Sequence, residues 1–293
     1  MNRMNYYFSR FLCYALSVAL AFTIAGCCIF SVFSLTSANK RYTNDYFVSD
    51  QVTQELSADI YNKLEDVAES HGLEGEAIKK AYSYDFLKSV QSTALNTLYS
   101  GGPATVSDST NIELYCKRAL DDYNAKQNKA EKLSQEEMKT IISEVKAAFN
   151  SVYEITNSQD FYSFSVFFGR SVQLSVILAI LSAAIGTAVY FLSGRRHRSL
   201  NFSAMSLMSA GGICVAIPVT TMLLFDLSNI KLTNIDAYNS AIEQSTSRIA
   251  NTIIIVGVVL IAISITIFVS NYKYYSFKLK NSETEYEIEH NLI

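Results

Sequence analysis

The sequence predicts an all-α, four-span integral membrane protein with a helical bundle as its outer domain, between spans 1 and 2. Four apolar runs that lack charged residues are each about 20 residues or longer, which is enough to cross a bilayer as a helix. Between the first two runs lies a charged block in which apolar residues recur at three- and four-residue spacing, as on one face of a helix. Positive charges gather at one end of each run, which is typical of segments that stay in the cytoplasm.

The composition agrees with a membrane protein that also has a water-facing part. Hydrophobic residues make up 49% of the 293 residues and charged residues 17%. Only two prolines occur, which favours long helices. The net charge of −3 gives no overall positive field, so we expect no nucleic acid partner.

These patterns divide the chain into predicted segments that alternate across the membrane. They are a cytoplasmic N-terminus (1–10), a first span (11–35), an extracytoplasmic helical domain (36–165), a second span (171–192), a basic cytoplasmic loop (193–201), a third span (202–225), an outer loop (226–248), a fourth span (249–270) and a cytoplasmic tail (271–293). Basic residues lie in all three predicted cytoplasmic segments, close to the spans. Both termini are therefore expected in the cytoplasm of a multi-pass plasma-membrane protein.

The most basic part of the chain is the short loop between the second and third spans. We interpret Arg195, Arg196 and Arg198 as topology determinants, because short loops follow the positive-inside rule most reliably. The alternative is that these arginines bind a lipid head group or a nucleic acid.

The first span contains a possible lipidation site at Cys27. The residues Ile24-Ala25-Gly26-Cys27 are similar to a bacterial lipobox, and a basic leader and an apolar run precede them. Cys28 and the residues after it continue the apolar run, which favours an ordinary transmembrane helix instead. In either case the following block is expected outside.

The outer block is predicted to fold as four amphipathic helices, at 44–70, at 76–99, after Thr110 and after Ser134. The first is expected to end at Gly72 followed by Leu73, the Schellman pattern. Thr110 with Glu113, and Ser134 with Glu137, have the spacing of capping boxes. Since no single helix can bury its own apolar stripe, we expect a bundle, with Ile60 in its core.

We predict no catalytic, cofactor-binding or metal-binding residues, and therefore no enzyme. The three histidines, His71, His197 and His290, fall on two sides of the predicted membrane and so cannot form one zinc site. Acidic residues surround His71, which leaves a cation site as the alternative to a solvated helix end. Cys116 is expected to be a buried thiol, the alternative being an intermolecular disulfide.

The spans themselves contain no Asp, Glu, Lys, Arg or His, which argues against a coupled transporter. In the second span Ala179, Ser182, Ala183 and Gly186 could form a close-packing face, or could be small residues without a special role. Pro218, in the third span, could mark a hinge, although membrane helices tolerate proline.

The order of one span, a large outer domain and three clustered spans resembles that of the division-type ABC permeases. Those proteins have a longer cytoplasmic segment that engages an ATPase, where this chain has only residues 193–201. The acidic, Tyr-rich helical block with its Gly72-Leu73 break, followed by three spans, also resembles uncharacterised Firmicute-type four-span membrane proteins with an extracytoplasmic helical domain. That resemblance covers the whole chain and implies no activity.

Three functional hypotheses follow. The first is a non-enzymatic integral membrane protein whose outer helical domain binds or senses a partner, with the lipid bilayer and either a protein partner or a homo-oligomer as its contacts. The second is a permease-like subunit of an export or cell-envelope complex. The third is a membrane enzyme that acts on lipid or peptide, for which the sequence offers only scattered polar residues.

Overall fold

The structure, a computed structural model, describes residues 3–36, 40–99, 106, 111–127, 132–154, 169–194, 196–224 and 235–290. The regular elements within these residues are all helices, which confirms the all-α prediction. They are α1 (Arg3–Leu35), α2 (Lys40–Phe47), α3 (Asp50–Ser70), α4 (Glu76–Lys79), α5 (Tyr84–Tyr99), α6 (Ile112–Lys126), α7 (Gln135–Tyr153), α8 (Ser171–Ser193), α9 (Arg196–Leu224) and α10 (Asp236–His290).

The chain divides into two units by its internal contacts. The apolar unit comprises Met1–Thr36, Gly169–Asp226 and Ser247–Ile293, and the polar unit comprises Ser37–Phe168 and Leu227–Thr246.

Four helices are long and apolar enough to cross a membrane, and they contain the first, second and fourth predicted spans and residues 202–224 of the third. These helical stretches are Phe8–Leu35, Ser171–Ser193, Arg196–Leu224 and Asp236–Phe277. Large apolar side chains such as Ile180, Leu223 and Ile255 lie exposed on their surfaces. Surfaces of this kind are suited to lipid rather than water, as expected for a multi-pass membrane protein.

In the apolar unit, α1 packs against both α8 and α9. Hydroxyl groups join neighbouring helices: Ser206 donates to the carbonyl oxygen of Ser17 at 2.9 Å, and Ser264 donates to that of Ala204 at 2.6 Å. Such side chain-to-backbone bonds between helices are a common means of association in membranes.

A close helix crossing in the apolar unit joins α9 and α10. A Cβ atom added to Gly211 would lie 2.6 Å from the carbonyl oxygen of Gly257, so the two backbones touch there. Of the predicted packing face of α8, Ala179 and Ala183 are exposed, Ser182 and Gly186 are half-buried, and a Cβ on Gly186 would meet nothing within 4 Å. This contact between glycines therefore lies on spans other than the one for which a small-residue packing face was considered.

In the polar unit, α3 packs against α2, α4, α5 and α7. Its buried stripe, which includes Leu56, Ile60 and Leu64, is fully inaccessible to solvent. The residues that meet this stripe in one continuous core include Ile78, Leu87, Ile112, Cys116, Ile141, Val145 and Phe149. Ile60 thus lies in the core, as predicted.

Two predicted helices are each divided in the structure, and a serine explains each break. Residues 44–70 form α2 and α3, because Ser49 is extended and its hydroxyl accepts from the backbone N–H of Val52 at 3.4 Å. Residues 76–99 form α4 and α5, and the hydroxyl of Ser83 accepts from the backbone N–H of Phe86 at 3.2 Å.

Two of the predicted helix ends, at Gly72 and at Ser134, have the expected hydrogen bonds. Gly72 has a φ of 70°, and its N–H and that of Leu73 donate to Glu69 and Ala68, which confirms the Schellman end. The Ser134 capping box is confirmed as well, with both reciprocal bonds to Glu137 present.

Thr110, the predicted cap of the third helix, lies outside the described residues, so its capping box with Glu113 stays a prediction. α6 begins after Asn111, whose side chain makes no capping bond. Glu113 accepts a hydrogen bond at 2.6 Å from the ammonium group of Lys146, which forms an ion pair between α6 and α7.

Segment ends also differ from prediction at the last two spans. α9 begins at Arg196, inside the predicted loop 193–201, and α10 continues through most of the predicted tail 271–293. The first turns of α10 belong to the polar unit, where Tyr238 and Ala241 are buried in its core. The predicted outer loop 226–248 thus supplies part of that core, because its apolar residues recur at helical spacing.

Candidate functional site

Cys27, the predicted lipidation residue, lies within α1, which continues as helix to Leu35. Its thiol is half-buried and lies 3.5 Å from the carbonyl oxygen of Ser175 on α8. A Cβ atom on the neighbouring Gly26 would lie 3.1 Å from the Leu178 side chain, so α1 and α8 approach closely here. Lipidation of Cys27 stays a prediction.

Two of the three arginines predicted as topology determinants, Arg196 and Arg198, lie at the start of α9. Arg195 lies outside the described residues. Arg196 is the first residue of α9 and is exposed, whereas Arg198 is half-buried. Before them, Gly194 ends α8 with a φ of 65°, a left-handed conformation that favours glycine.

Arg198 lines a cavity of about 550 Å³ in the apolar unit, together with Arg10 of α1. The other lining residues are Ser9, Cys13, Tyr14, Leu192, Ser193, Gly194, Asn201, Phe202, Met205 and Phe268. Among the described lining residues there are therefore two arginines and no Asp or Glu. Sequence reasoning interpreted Arg198 as a topology signal, with a lipid head-group or nucleic-acid site as the alternative, and did not connect it with Arg10.

A buried amide lies beside this end of α9. Asn271 of α10 is 8% exposed and donates to the carbonyl oxygen of His197 at 2.8 Å and to the Asn201 side chain at 2.7 Å. The His197 ring stacks on Tyr275, with 4.9 Å between centroids. These contacts hold α9 against α10 next to the cavity and position the Asn201 side chain.

In the polar unit, the most distinctive surface is the acidic face of α3, which we define by Glu55, Asp59, Asp66 and Glu69. All four side chains are exposed and recur at helical spacing on the side opposite the buried stripe. The helix has six acidic residues and one basic residue, Lys63. Lys63 donates to Ser151 of α7 at 2.6 Å and so points away from this face.

Neither His71 nor Cys116 forms part of a chemical constellation in the described residues. The imidazole Nε2 of His71 lies 3.0 Å from a carboxylate oxygen of Glu144. Within the part of the chain that the structure describes, no group of three or more His, Cys, Asp or Glu residues could hold a metal ion. Cys116 is fully buried next to Tyr82, and burial raises the pKa of its thiol to about 12.

Comparisons with known proteins found no matching protein-family model, no matching curated protein and no matching solved structure.

Proposed function

We propose that this chain is a non-enzymatic integral membrane protein of the plasma membrane whose polar unit binds a protein partner outside the cytoplasm. In this proposal the four long apolar helices anchor the chain, both termini lie in the cytoplasm, and the polar unit is the binding module. The acidic face of α3 is the observation that carries the proposal.

The acidic face is well suited to recognition because its shape is held by the core beneath it. The residues between the acids, Leu56, Ile60 and Leu64, are fully buried against other helices, and both ends of α3 are capped. A rigid row of like charges fits a basic surface on a partner without first being ordered. Such charges also increase the rate of association with a basic partner.

Neutralising this face should remove the partner. The test variant is Asp59→Asn, Asp66→Asn and Glu69→Gln in the full-length chain. The matched control is Asp121→Asn, Asp122→Asn and Glu136→Gln, which removes three exposed acids from α6 and α7 instead. Proteins cross-linked to the chain in intact cells, then purified in mild detergent, are quantified for wild type and both variants.

We expect the cross-linked partner to fall about tenfold or more for the α3 variant, since charge pairs at an interface contribute more than 1.4 kcal/mol together. The control variant should keep it, and added salt should weaken it. Equal recovery with both variants would rule out the acidic face as the binding surface.

The permease-like subunit is the alternative. Only Gly194 and Arg195 separate α8 from α9, which leaves little room for an ATPase-engaging segment at that connection. If an ATPase co-purifies equally well with the wild type and with the α3 variant, the permease-like alternative is favoured instead.

A further inference from the structure

We infer that the cavity between the Arg10 end of α1 and the start of α9 binds the head group of an anionic phospholipid. The inference concerns the apolar unit alone and goes beyond the proposed partner of the polar unit. Three properties of the cavity support it: its charge, its graded polarity and its size.

The charge of the cavity favours an anion. Two of its twelve described lining residues are the arginines Arg10 and Arg198, and none of the twelve is Asp or Glu. Guanidinium groups bind phosphate oxygens in a bidentate manner, which makes arginine a frequent residue at phosphate sites. The side chain of Asn201 supplies a further polar group in the same wall. The hydroxyl groups of Ser9 and Ser193 already donate to main-chain carbonyl oxygens.

The polarity of the wall changes along each helix. On α1, Ser9 and Arg10 are followed one turn later by Cys13 and Tyr14, and all four line the cavity. The wall thus passes from charged to apolar over one helical turn.

The same order occurs on α9, where Arg198 is followed by Asn201 and then by Phe202 and Met205. Tyr14 and Phe202 close this apolar part in an edge-to-face contact, with 5.1 Å between ring centroids. A phospholipid has the same sequence of groups, an anionic phosphate followed by glycerol and acyl chains.

The size and position of the cavity distinguish a lipid from a free anion. A volume of about 550 Å³ far exceeds what a phosphate ion needs and lies in the range of small-molecule sites. The cavity lies where α8 ends and α9 begins, at the ends of apolar helices, where head groups of a bilayer would be found. Basic pockets between spans at that depth are suited to anionic head groups.

Native mass spectrometry of the full-length protein in a neutral detergent tests this inference. The ligands are phosphatidylglycerol, phosphatidylcholine with the same acyl chains, and soluble glycerol phosphate. We expect one phosphatidylglycerol to bind with roughly tenfold preference over phosphatidylcholine. Phosphatidylglycerol carries a net negative charge, which two arginines attract, whereas phosphatidylcholine has no net charge. Glycerol phosphate should not displace it, because it lacks the part that fills the apolar end.

The test variant is Arg10→Gln with Arg198→Gln, and the matched control is Arg196→Gln, an exposed arginine two residues before Arg198 that does not line the cavity. The double variant should lose the preference for phosphatidylglycerol, and the control should retain it. The Arg10→Lys with Arg198→Lys variant keeps both charges and should retain part of the preference. Thermal unfolding in detergent without lipid verifies that each variant is folded.

Three outcomes would overturn the inference. They are an equal loss in the Arg196→Gln control, equal binding of the two lipids by the wild type, and displacement of the lipid by glycerol phosphate. The last outcome would indicate a site for a free phosphate ester. Neutralising the acidic face of α3 should leave lipid binding unchanged, so this inference and the proposed partner can fail separately.

Discussion

The contact between Gly211 of α9 and Gly257 of α10 gives a quantitative prediction about the apolar unit. A Cβ on Gly211 would lie 2.6 Å from the carbonyl oxygen of Gly257, and a Cβ on Gly257 would lie 2.7 Å from that of Gly211. The nearest obstructing atom on each side belongs to the backbone, so no change of rotamer can relieve that part of the clash. Ordinary contact begins at 3.4 Å, so Gly211→Ala requires the helices to separate by about 0.8 Å.

Substituting a neighbouring glycine separates the free-energy cost of this clash from the effect of alanine on helix stability. Overpacking of this kind typically costs about 1–3 kcal/mol. Alanine also favours the helix by about 1 kcal/mol relative to glycine. Gly212→Ala has the same helix effect, but its Cβ would meet nothing within 4 Å. We therefore expect Gly211→Ala to be less stable than Gly212→Ala by about 1–3 kcal/mol.

The two sides of the contact should also be coupled. Once α9 and α10 have separated for one methyl group, the second methyl group needs little further movement. The double variant Gly211→Ala with Gly257→Ala should therefore cost less than the sum of the single variants, with a coupling of about 0.5–3 kcal/mol.

The assay is the free energy of unfolding of the purified protein in mixed detergent micelles, for wild type, three single variants and the double variant. Equal stability of Gly211→Ala and Gly212→Ala would refute the reasoning, because it would mean that the α9 and α10 backbones do not touch at this point. Additive effects of the two contact glycines would mean that their clashes are relieved independently.

Three further predictions concern the polar unit and the topology. Ile60→Asp should unfold the polar unit, since an unpaired charge in this fully buried site costs several kcal/mol. A protease should therefore cleave this variant rapidly. The control variant Asp59→Asn, which changes an exposed side chain, should stay resistant to the protease. The Cys116 thiol should resist maleimide at pH 8 until the protein unfolds. Because burial raises the pKa of that thiol from 9.0 to about 12, the unfolded chain ionises first, and stability should fall as the pH rises from 9 toward 12; a constant melting temperature over that range would contradict this. In a chain without its native cysteines, an impermeant thiol reagent applied outside cells should label Glu69→Cys but not Lys273→Cys, and labelling of both or neither would contradict the proposed topology.

The elements that could be predicted from sequence are those whose signal is local. Four long uncharged runs indicate span-like helices whatever they pack against. The helix ends at Gly72 and Ser134 depend on a few adjacent residues, and both have the predicted bonds. The breaks at Ser49 and Ser83 were missed because the apolar stripe continues in register across each serine, so periodicity alone indicates one helix.

The parts that could not be predicted depend on contacts between distant segments. Phe47 and Tyr238 lie far apart in the sequence, yet their rings are 5.7 Å apart in the core of the polar unit. A hydropathy pattern indicates which side of each helix is buried, but it does not indicate which other helix packs against that side. For this reason 226–248, in which the sequence indicates a helix at 234–248, was predicted as an outer loop and not as part of the core.

The cavity beside Arg198 escaped prediction for a related reason. A span that is apolar on every side gives no sign of how it is rotated, so nothing in the sequence indicates that Arg10 and Arg198 face the same space. Likewise, small residues in α8 suggested a packing face, of which Ala179 and Ala183 are exposed, whereas the glycines in contact lie on α9 and α10. Residue type alone does not distinguish these cases.

The bonds from Ser206 and Ser264 to neighbouring helices have a consequence for how this protein can change over evolution. Each hydroxyl group donates to a main-chain oxygen, on Ser17 and Ala204 respectively. A main-chain oxygen persists whatever side chain the acceptor position carries. Selection should therefore act on the donor serine while the residue opposite it varies with few restrictions. Methods that infer contacts from correlated substitutions would therefore find no signal at these two residue pairs, even though the helices are directly bonded there.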